Sequence, residues 1–586
     1  MPRAASVAAR PPPPPALLLA LPLLLAVAAS AAPGAAALPN IIWLQVDSMD
    51  GRLLDPTHPY FYKLRAEGFH VSVLSRGANF ARHYTNSPQC VPSRTGMMTS
   101  RYVSDTGTTN NGQGLARSTK TGALDSGCVS LWNASTCARF AERQNVSATM
   151  LDLVAAAGYE LRLFGRFDVG AGITDDYANT TGSGFHSGPD LHILARGAGI
   201  TGITDVEPWS STVSNAAHPY APDVSVAAEA VQWLESTPPP APGDKPFFLW
   251  VGLLDPHPPY DSNATYRAHL NESNIDAPTL PAWESMHPFD RSMSVLKACT
   301  LNYTDAQLKV MRANYWGAAA EALSLLERVV AAANASGHLD NTVVIFTSDH
   351  GEMSMEHRQD YKNSLREPST RVPLVIAPYG RAAQQWPDAA GSVVTALTSH
   401  VDIVPTIAEL AGGAPGLPLS RGASLVPLLA PPARRSARSA ARAAARSDFI
   451  VAEYHSNLAS TGSFMIRQGD YKLIVFGHSW PWFNATAFVP QLFNVAADAF
   501  ELENVAAENP ALIASMLAQL ETELGGGPGA VAAVDRAQMA ENLELFKAFF
   551  ADRMPFANLT RAVAEAFKGP TEAEVAARLT QWLGGL

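Results

Sequence analysis

Ile41-Ile42-Trp43-Leu44-Gln45-Val46-Asp47-Ser48 is a short, almost unbroken apolar run that ends on a carboxylate. A strand with one face in water would show a polar residue at every second position. A run this apolar predicts a strand covered on both faces. Three later stretches read the same way: Glu160–Phe164, Pro246–Leu253 and Thr342–Thr347. Helical stretches lie between them. The clearest runs from about Asp305 to Ala333, opens with Thr304 and Gln307 as a capping box, and stops at Asn334–Gly337. Strands alternating with helices predict an α/β fold with a large, mostly parallel sheet.

A polar residue follows each of these strands. Asp47 follows the first and Arg166 the second; His257, in Asp255-Pro256-His257-Pro258, lies past the third, and Asp349-His350 follows the fourth. Open parallel sheets build their sites at the carboxyl ends of the strands, so these residues are expected on one rim. Carboxylates suit a hard divalent cation, and we expect Ca2+ in preference to Mg2+. A histidine near neutrality suits proton transfer.

Cys90 belongs to the same set. It stands in Cys90-Val91-Pro92-Ser93-Arg94, just after Asn86-Ser87-Pro88. Pro92 fits the first turn of a helix, and Arg94, one turn after Cys90, can share its face. An isolated cysteine is usually a small buried hydrophobe. This one resembles the motif that sulfatases present for oxidation to formylglycine. The chain is similar to the sulfatase family elsewhere too: in Val46-Asp47-Ser48-Met49-Asp50-Gly51-Arg52, in Tyr84-Thr85-Asn86-Ser87-Pro88, in Met286-His287-Pro288, and in Ser348-Asp349-His350-Gly351-Glu352 running on to Met355-Glu356-His357-Arg358-Gln359. Lys362, five residues before Glu367, matches the family's Lys-x-x-x-x-Glu. The chain departs from the pattern at four places. Asp47-Ser48 replaces Asp-Asp, with Ser48 and Asp50 as possible neighbours of the metal. Arg166 replaces Lys, Asp168 stands where many members have His, and Thr99-Ser100-Arg101 replaces Thr-Gly-Arg.

The resemblance implies an α/β/α sandwich like that of alkaline phosphatase, with a smaller C-terminal domain of a short antiparallel sheet and helices. It implies one divalent cation held by Asp47, Asp349, His350 and the modified Cys90, and maturation by the formylglycine-generating enzyme. In the expected reaction a hydroxyl of the hydrated aldehyde attacks sulfur, His257 protonates the departing oxygen, and the second hydroxyl then expels sulfate. Arg94, Arg166 and Lys362 supply positive charge. Asp168 is a further substrate-side candidate. The expected substrate is a 2-sulfated uronate at the end of a sulfated polysaccharide, with His357 and Arg358 as candidate donors to its carboxylate. The alternatives are a sulfatase for another sulfated polysaccharide or an aryl sulfate, and a phosphodiester or phosphonate hydrolase of the same fold.

The rest of the chain is consistent with this. Residues 1–36 carry Arg3 and Arg10, an apolar Ala16–Val27 and small residues, which is the pattern of a secretory signal peptide. The formal charge of −11 argues against a nucleic-acid partner. Nine Asn-x-Ser/Thr sites (Asn133, Asn145, Asn179, Asn263, Asn271, Asn302, Asn334, Asn484 and Asn558) fit a glycosylated lysosomal or extracellular protein. No span of the mature chain is long enough to cross a membrane. Of the four cysteines, Cys128 and Cys137 are close enough in sequence to bridge, leaving Cys90 and Cys299. We expect a catalytic domain over 39–430, a solvated Arg/Ala-rich linker or insertion over 431–447, and a C-terminal subdomain over 448–586. In the last, Phe449–Glu453, Ser463–Arg467, Tyr471–Phe476 and Gln491–Asn494 read as strands, Gly525–Gly529 as a break, and about Ala530–Leu583 as amphipathic helices.

Overall fold

The strand that begins the fold, β1 (Asn40–Val46), lies inside an eight-stranded sheet and is buried along its whole length. Alternation sorts its side chains between two layers. Ile42, Leu44 and Val46 enter one hydrophobic core, and Ile41 and Trp43 enter the other. The structure is a computed structural model. It describes residues 37–541 and 573, apart from 63–66, 132, 170–179, 182–220, 259, 261–262, 269, 271–274, 279, 298, 300–302, 414–415, 456–460, 478–488 and 539–540.

The other strands of the large sheet are β2 (Ala78–Phe80), β4 (Glu160–Gly165), β5 (Thr180–Thr181), β6 (Phe247–Gly252), β7 (Asn341–Ser348), β8 (Leu374–Tyr379) and β9 (Ser392–Val394). A short parallel pair, β3 (His83–Tyr84) and β10 (Thr398–Ser399), stands apart. The order in the large sheet is β5-β4-β6-β1-β7-β8-β2-β9, and only β8 runs antiparallel to its neighbours. All four strands read from the sequence are present, in the adjacent positions β4-β6-β1-β7 and parallel. Their carboxyl ends therefore share one rim.

Helices cover both faces, as an α/β/α sandwich requires. The 31-residue helix Asp305–Ala335 and the helix Ala221–Ser236 pack on one core. Cys90–Thr99, Met150–Ala156 and Ile403–Leu410 pack on the other. The long helix starts at the expected box: Thr304 Oγ1 accepts from Gln307 N at 3.3 Å, and Gln307 Oε1 accepts from Thr304 N at 2.9 Å. Such a cap is worth about 1 kcal/mol. Trp43 and Trp250 are register partners on β1 and β6 and stack at 5.5 Å, adding about 0.5–1.5 kcal/mol beyond their burial.

Residues 431–447 are mostly exposed, as a solvated linker or insertion would be, and part of the stretch is helical. Ser436 caps a helix over Ala437–Ala444, a stretch rich in the best helix former. Three of the five arginines of 431–447 pair with carboxylates: Arg434 with Asp388, Arg442 with Glu409 and Arg446 with Asp402. Beyond it, β11 (Phe449–Tyr454), β12 (Ser463–Gln468), β13 (Tyr471–Phe476) and β14 (Gln491–Asn494) form an antiparallel sheet in sequence order. The helix Pro510–Glu523 buries Met516 and Leu520 against it. Gly525, Gly527 and Gly529 all take positive φ, which gives the chain its turn there.

Cys128 and Cys137 are disulfide-bonded, and Cys90 and Cys299 are buried free thiols. Among the described residues no helix is long and apolar enough to cross a membrane. Asn133, Asn145 and Asn334 are exposed and Asn263 is half-buried. The leader, Asn179, Asn271, Asn302, Asn484, Asn558 and most of the expected C-terminal helices lie outside the described residues.

Candidate active site

Asp47 follows β1 and Asp349 and His350 follow β7, so parallel pairing alone brings them side by side. Cys90 is the first residue of its helix, which stands over the same rim. One ligand atom from each of the four lies within 4.8 Å of the others, and all four side chains are fully buried. Cys90 Sγ is 3.3 Å from His350 Nε2 and 3.9 Å from Asp47 Oδ1. His350 Nδ1 lies 3.0 Å from Gly351 O, which places the ring proton on Nδ1 and turns the Nε2 lone pair into the cluster. Two carboxylates and an imidazole lone pair converging in a buried site are a donor set that fits a divalent cation.

Arg94 lies under this cluster. Its Nε donates to Asp349 Oδ2 at 2.9 Å and its Nη2 to Asp47 Oδ2 at 3.0 Å. The guanidinium thus braces the two carboxylates. Ser48 adds further support: its N donates to Asp349 Oδ1 and its Oγ to Asp47 Oδ1. Asp50 turns away to pair with Arg52, at 2.7 Å. Burial would raise the Asp47 pKa, but the cations around it, Arg166, Lys362 and Arg94, outweigh that and hold it well below the usual carboxylate range.

The second half of the site faces Cys90 from the other side. Lys362 Nζ lies 2.6 Å from Cys90 Sγ and 3.2 Å from His257 Nε2. Arg166 Nε is 3.4 Å from Asp47 Oδ2 and is also hydrogen-bonded to Asp168, which sits at positive φ. Burial, and then Asp47, push the Cys90 thiol well up. As a thiol it is a poor nucleophile here, because attack needs the thiolate. Burial, and then Lys362, push His257 well down, so its imidazole rests neutral.

The family model described as Sulfatase matches residues 39–414, most of the chain. The chain belongs to the sulfatase family. It is 31% identical to arylsulfatase K of Danio rerio over 491 residues, covering 80% of this chain and 81% of that one. Among solved structures, the phosphonate monoester hydrolase of Agrobacterium radiobacter aligns with a TM-score of 0.58 at 22% identity, over 83% of this chain and 95% of that one. A structure described as a 2-O GAG sulfatase aligns with a TM-score of 0.55 at 17% identity, over 83% and 92%. These two share the fold. The protein is a sulfuric ester hydrolase.

The departures from the sulfatase pattern have local explanations. Ser100 takes φ 56°, a left-handed conformation that glycine adopts without strain; here its Oγ is tied to Val401 O and Ser420 Oγ. Arg166 and Asp168 form an ion pair beside Asp47. His357 is buried, with Nε2 2.9 Å from Phe500 O, and Arg358 Nε donates to Pro281 O at 2.8 Å. Neither has a described contact with Cys90, Lys362 or His257.

Sequence reasoning missed three supports of this sulfatase site. Tyr361 Oη reaches His257 Nε2 at 2.9 Å. Lys297 Nζ holds the loop through Gln359 Oε1, at 3.1 Å, and through Lys362 O. Asp223 accepts from Leu254 N and Asp255 N, at 2.9 and 2.8 Å, and so fixes the approach to His257. Only Tyr361 carried a signal in the sequence, its place next to Lys362.

Proposed function

We propose that this sulfatase removes the 2-sulfate from a uronate, glucuronate 2-sulfate above all, at the end of a sulfated polysaccharide, in a lysosomal or extracellular setting. The observation that carries the chemistry is the position of Cys90, with Lys362 at 2.6 Å on one side and the Asp47–Asp349–His350 cluster on the other. In this family the cysteine is converted to formylglycine, and its hydrate supplies the attacking oxygen. Asp47, Asp349, His350 and that side chain would hold the cation, Ca2+ in preference to Mg2+, whose chemistry is to screen the sulfate charge and acidify the hydrate. The substrate reading is supported by the similarity to arylsulfatase K.

The chain's own residues have separable tasks. Lys362 and Arg166 bind the sulfate oxygens as fixed cations, and Arg94 braces the two carboxylates through one hydrogen bond to each. Asp168 orients Arg166. The bond that breaks is S–O to the sugar, and its oxygen must gain a proton. His257 holds the local proton path: Nδ1 lies 2.7 Å from Pro258 O, so Nε2 faces the Nζ of Lys362 and the Oη of Tyr361. An anionic sulfate bound beside it raises the ring's proton affinity, so that Nε2 can carry the proton to the leaving oxygen. Arg358 is the remaining candidate donor to the uronate carboxylate, since His357 already serves Phe500.

The test is hydrolysis of matched esters: a terminal uronate 2-sulfate, a hexosamine 6-sulfate, a small aryl sulfate and a phosphonate monoester. The uronate ester should have the highest kcat/KM. A preference for the hexosamine ester would reject the substrate, and a preference for the phosphonate would favour the alternative reaction.

A further inference from the structure

A second cavity, of about 140 Å3, lies apart from the Cys90 cluster, lined by Tyr60, Asp276, Arg312, Glu356, His357 and Phe500 among others. A hollow of roughly 150 Å3 is enough to take up a benzene ring; a sugar ring with its hydroxyls is larger, so it would enter this one by a face or an edge and leave the rest over the rim. Tyr60 and Phe500 offer it aromatic faces, with centroids 6.0 Å apart and planes tilted by 56°. Phe500 is 37% exposed and forms part of the rim. His357 ties that rim to the wall through the Phe500 carbonyl.

The polar groups are fixed before any ligand arrives. Glu356 accepts from Arg52 at 2.8 and 3.0 Å, from Arg312 at 2.7 Å and from Tyr60 Oη at 3.0 Å. Arg312 is buried, and its Nε–H has no hydrogen-bond partner among the described residues. A buried donor without a partner is costly, and a sugar hydroxyl would supply one.

Charge decides the class of ligand. Arg52 and Arg312 are matched by Asp50 and Glu356, and Asp276 adds a further negative charge at the exposed edge. Among the described residues that line it, no cation is left over for a sulfate or a carboxylate. Aromatic faces combined with fixed, balanced polar groups suit an uncharged sugar ring, whose C–H faces lie on the aromatics and whose hydroxyls meet the polar groups.

The walls also come from the loops that carry the catalytic groups. Arg52 and Tyr60 follow Asp47, and Glu356 and His357 lie between His350 and Lys362. We propose that this cavity is a subsite for one unsulfated sugar ring of the polysaccharide whose terminal sulfate is removed. The proposal rests on the polysaccharide reading above.

The experiment uses the full-length mature enzyme and Phe500→Ala, with Phe500→Tyr as the conservative variant. Calorimetric titration with an unsulfated uronate–N-acetylhexosamine tetrasaccharide should show binding to wild type, loss of roughly tenfold or more in Phe500→Ala, and recovery in Phe500→Tyr. On 2-sulfated substrates the ratio of tetrasaccharide to aryl sulfate kcat/KM should fall by a similar factor in Phe500→Ala, through KM. No tetrasaccharide binding by wild type, or equal binding by wild type and Phe500→Ala, overturns the subsite. A wild type that ignores uronate 2-sulfates yet binds the tetrasaccharide through Phe500 overturns the substrate reading and supports the subsite.

Discussion

Tyr361 Oη lies 2.9 Å from His257 Nε2, and the two rings meet edge-on with centroids 5.2 Å apart. The phenol therefore fixes both the orientation of the imidazole and the nitrogen that faces the reaction. Because it donates to the neutral ring, it also favours the unprotonated form. Tyr361→Phe should lower kcat roughly 3- to 10-fold, the worth of one hydrogen bond of about 0.5–1.5 kcal/mol. The histidine limb of the pH–kcat/KM curve should move to higher pH. An unmoved curve would reduce Tyr361 to packing.

Cys90→Ser should fold and lose turnover. The exchange changes one atom in a fully buried site and keeps a polar group for Lys362 Nζ, now 2.6 Å from Sγ. Peptide mass spectrometry across Cys90 of the wild type should find the aldehyde in place of the thiol. Undiminished sulfate release by the serine variant would sink the assignment of Cys90 as the source of the nucleophile.

Most of the rim was legible in the sequence because parallel pairing turns strand ends into neighbours. Reading Val46-Asp47 and Ser348-Asp349 as strand ends is enough to put two carboxylates together, and register does the rest. The Cys90 helix was legible through Pro92 and Arg94. What could not be read depends on the path of loops. Residues 354–363 pass through positive φ at Ser354, Met355, His357, Arg358, Tyr361 and Asn363, and no periodicity predicts where such a loop points its side chains. That is why His357 lies in the second cavity and why Tyr361 was missed. The Arg434–Arg446 run is largely exposed, as read, but the ion pairs of Arg434, Arg442 and Arg446 were not legible because Asp388, Glu409 and Asp402 are distant in sequence.

Asp349→Asn should remove bound metal and activity together. The amide keeps the shape and an acceptor for Ser48 N, 3.2 Å away, but it loses the charge that faces Arg94 at 2.9 Å. Elemental analysis of the purified variant should find far less than one equivalent of Ca2+ or Mg2+. Stoichiometric metal in this variant would reject Asp349 as a ligand.

Lys472 joins the small sheet to the catalytic loop. From β13 its Nζ reaches Glu367 Oε1 at 2.9 Å, Glu501 Oε1 at 2.8 Å and Leu365 O at 3.1 Å, all without exposure to solvent. Removing one partner of a buried ionic group strands the others, at a cost of about 3–5 kcal/mol. Lys472→Met should lower the urea midpoint accordingly and, by loosening the loop that carries Lys362, reduce kcat as well. A stability loss under about 1 kcal/mol would show that water reaches this network.

His400 should make the fold sensitive to acid. It is fully buried, with Nδ1 3.1 Å from Ser93 Oγ beside the Cys90 motif, and burial pushes its pKa down to about 3. An unfolded histidine titrates near 6.5. Below that pH the unfolded chain takes up a proton that the folded chain refuses until about pH 3. The stability held above pH 6.5 is therefore lost progressively as the pH falls, by about 2 kcal/mol at pH 5. His357, pushed down to about 4 by burial, acts in the same direction. Glu352 and Asp223, raised to about 7 by burial, act in the opposite direction, because folding keeps their protons on as the pH falls below neutrality. A wild-type curve alone would mix these contributions, so the measurement is a difference. Urea midpoints of wild type and His400→Asn are compared at pH 7.5 and pH 5, and the variant should lose about 2 kcal/mol less than wild type between them. Parallel losses would mean that His400 accepts its proton in the folded state.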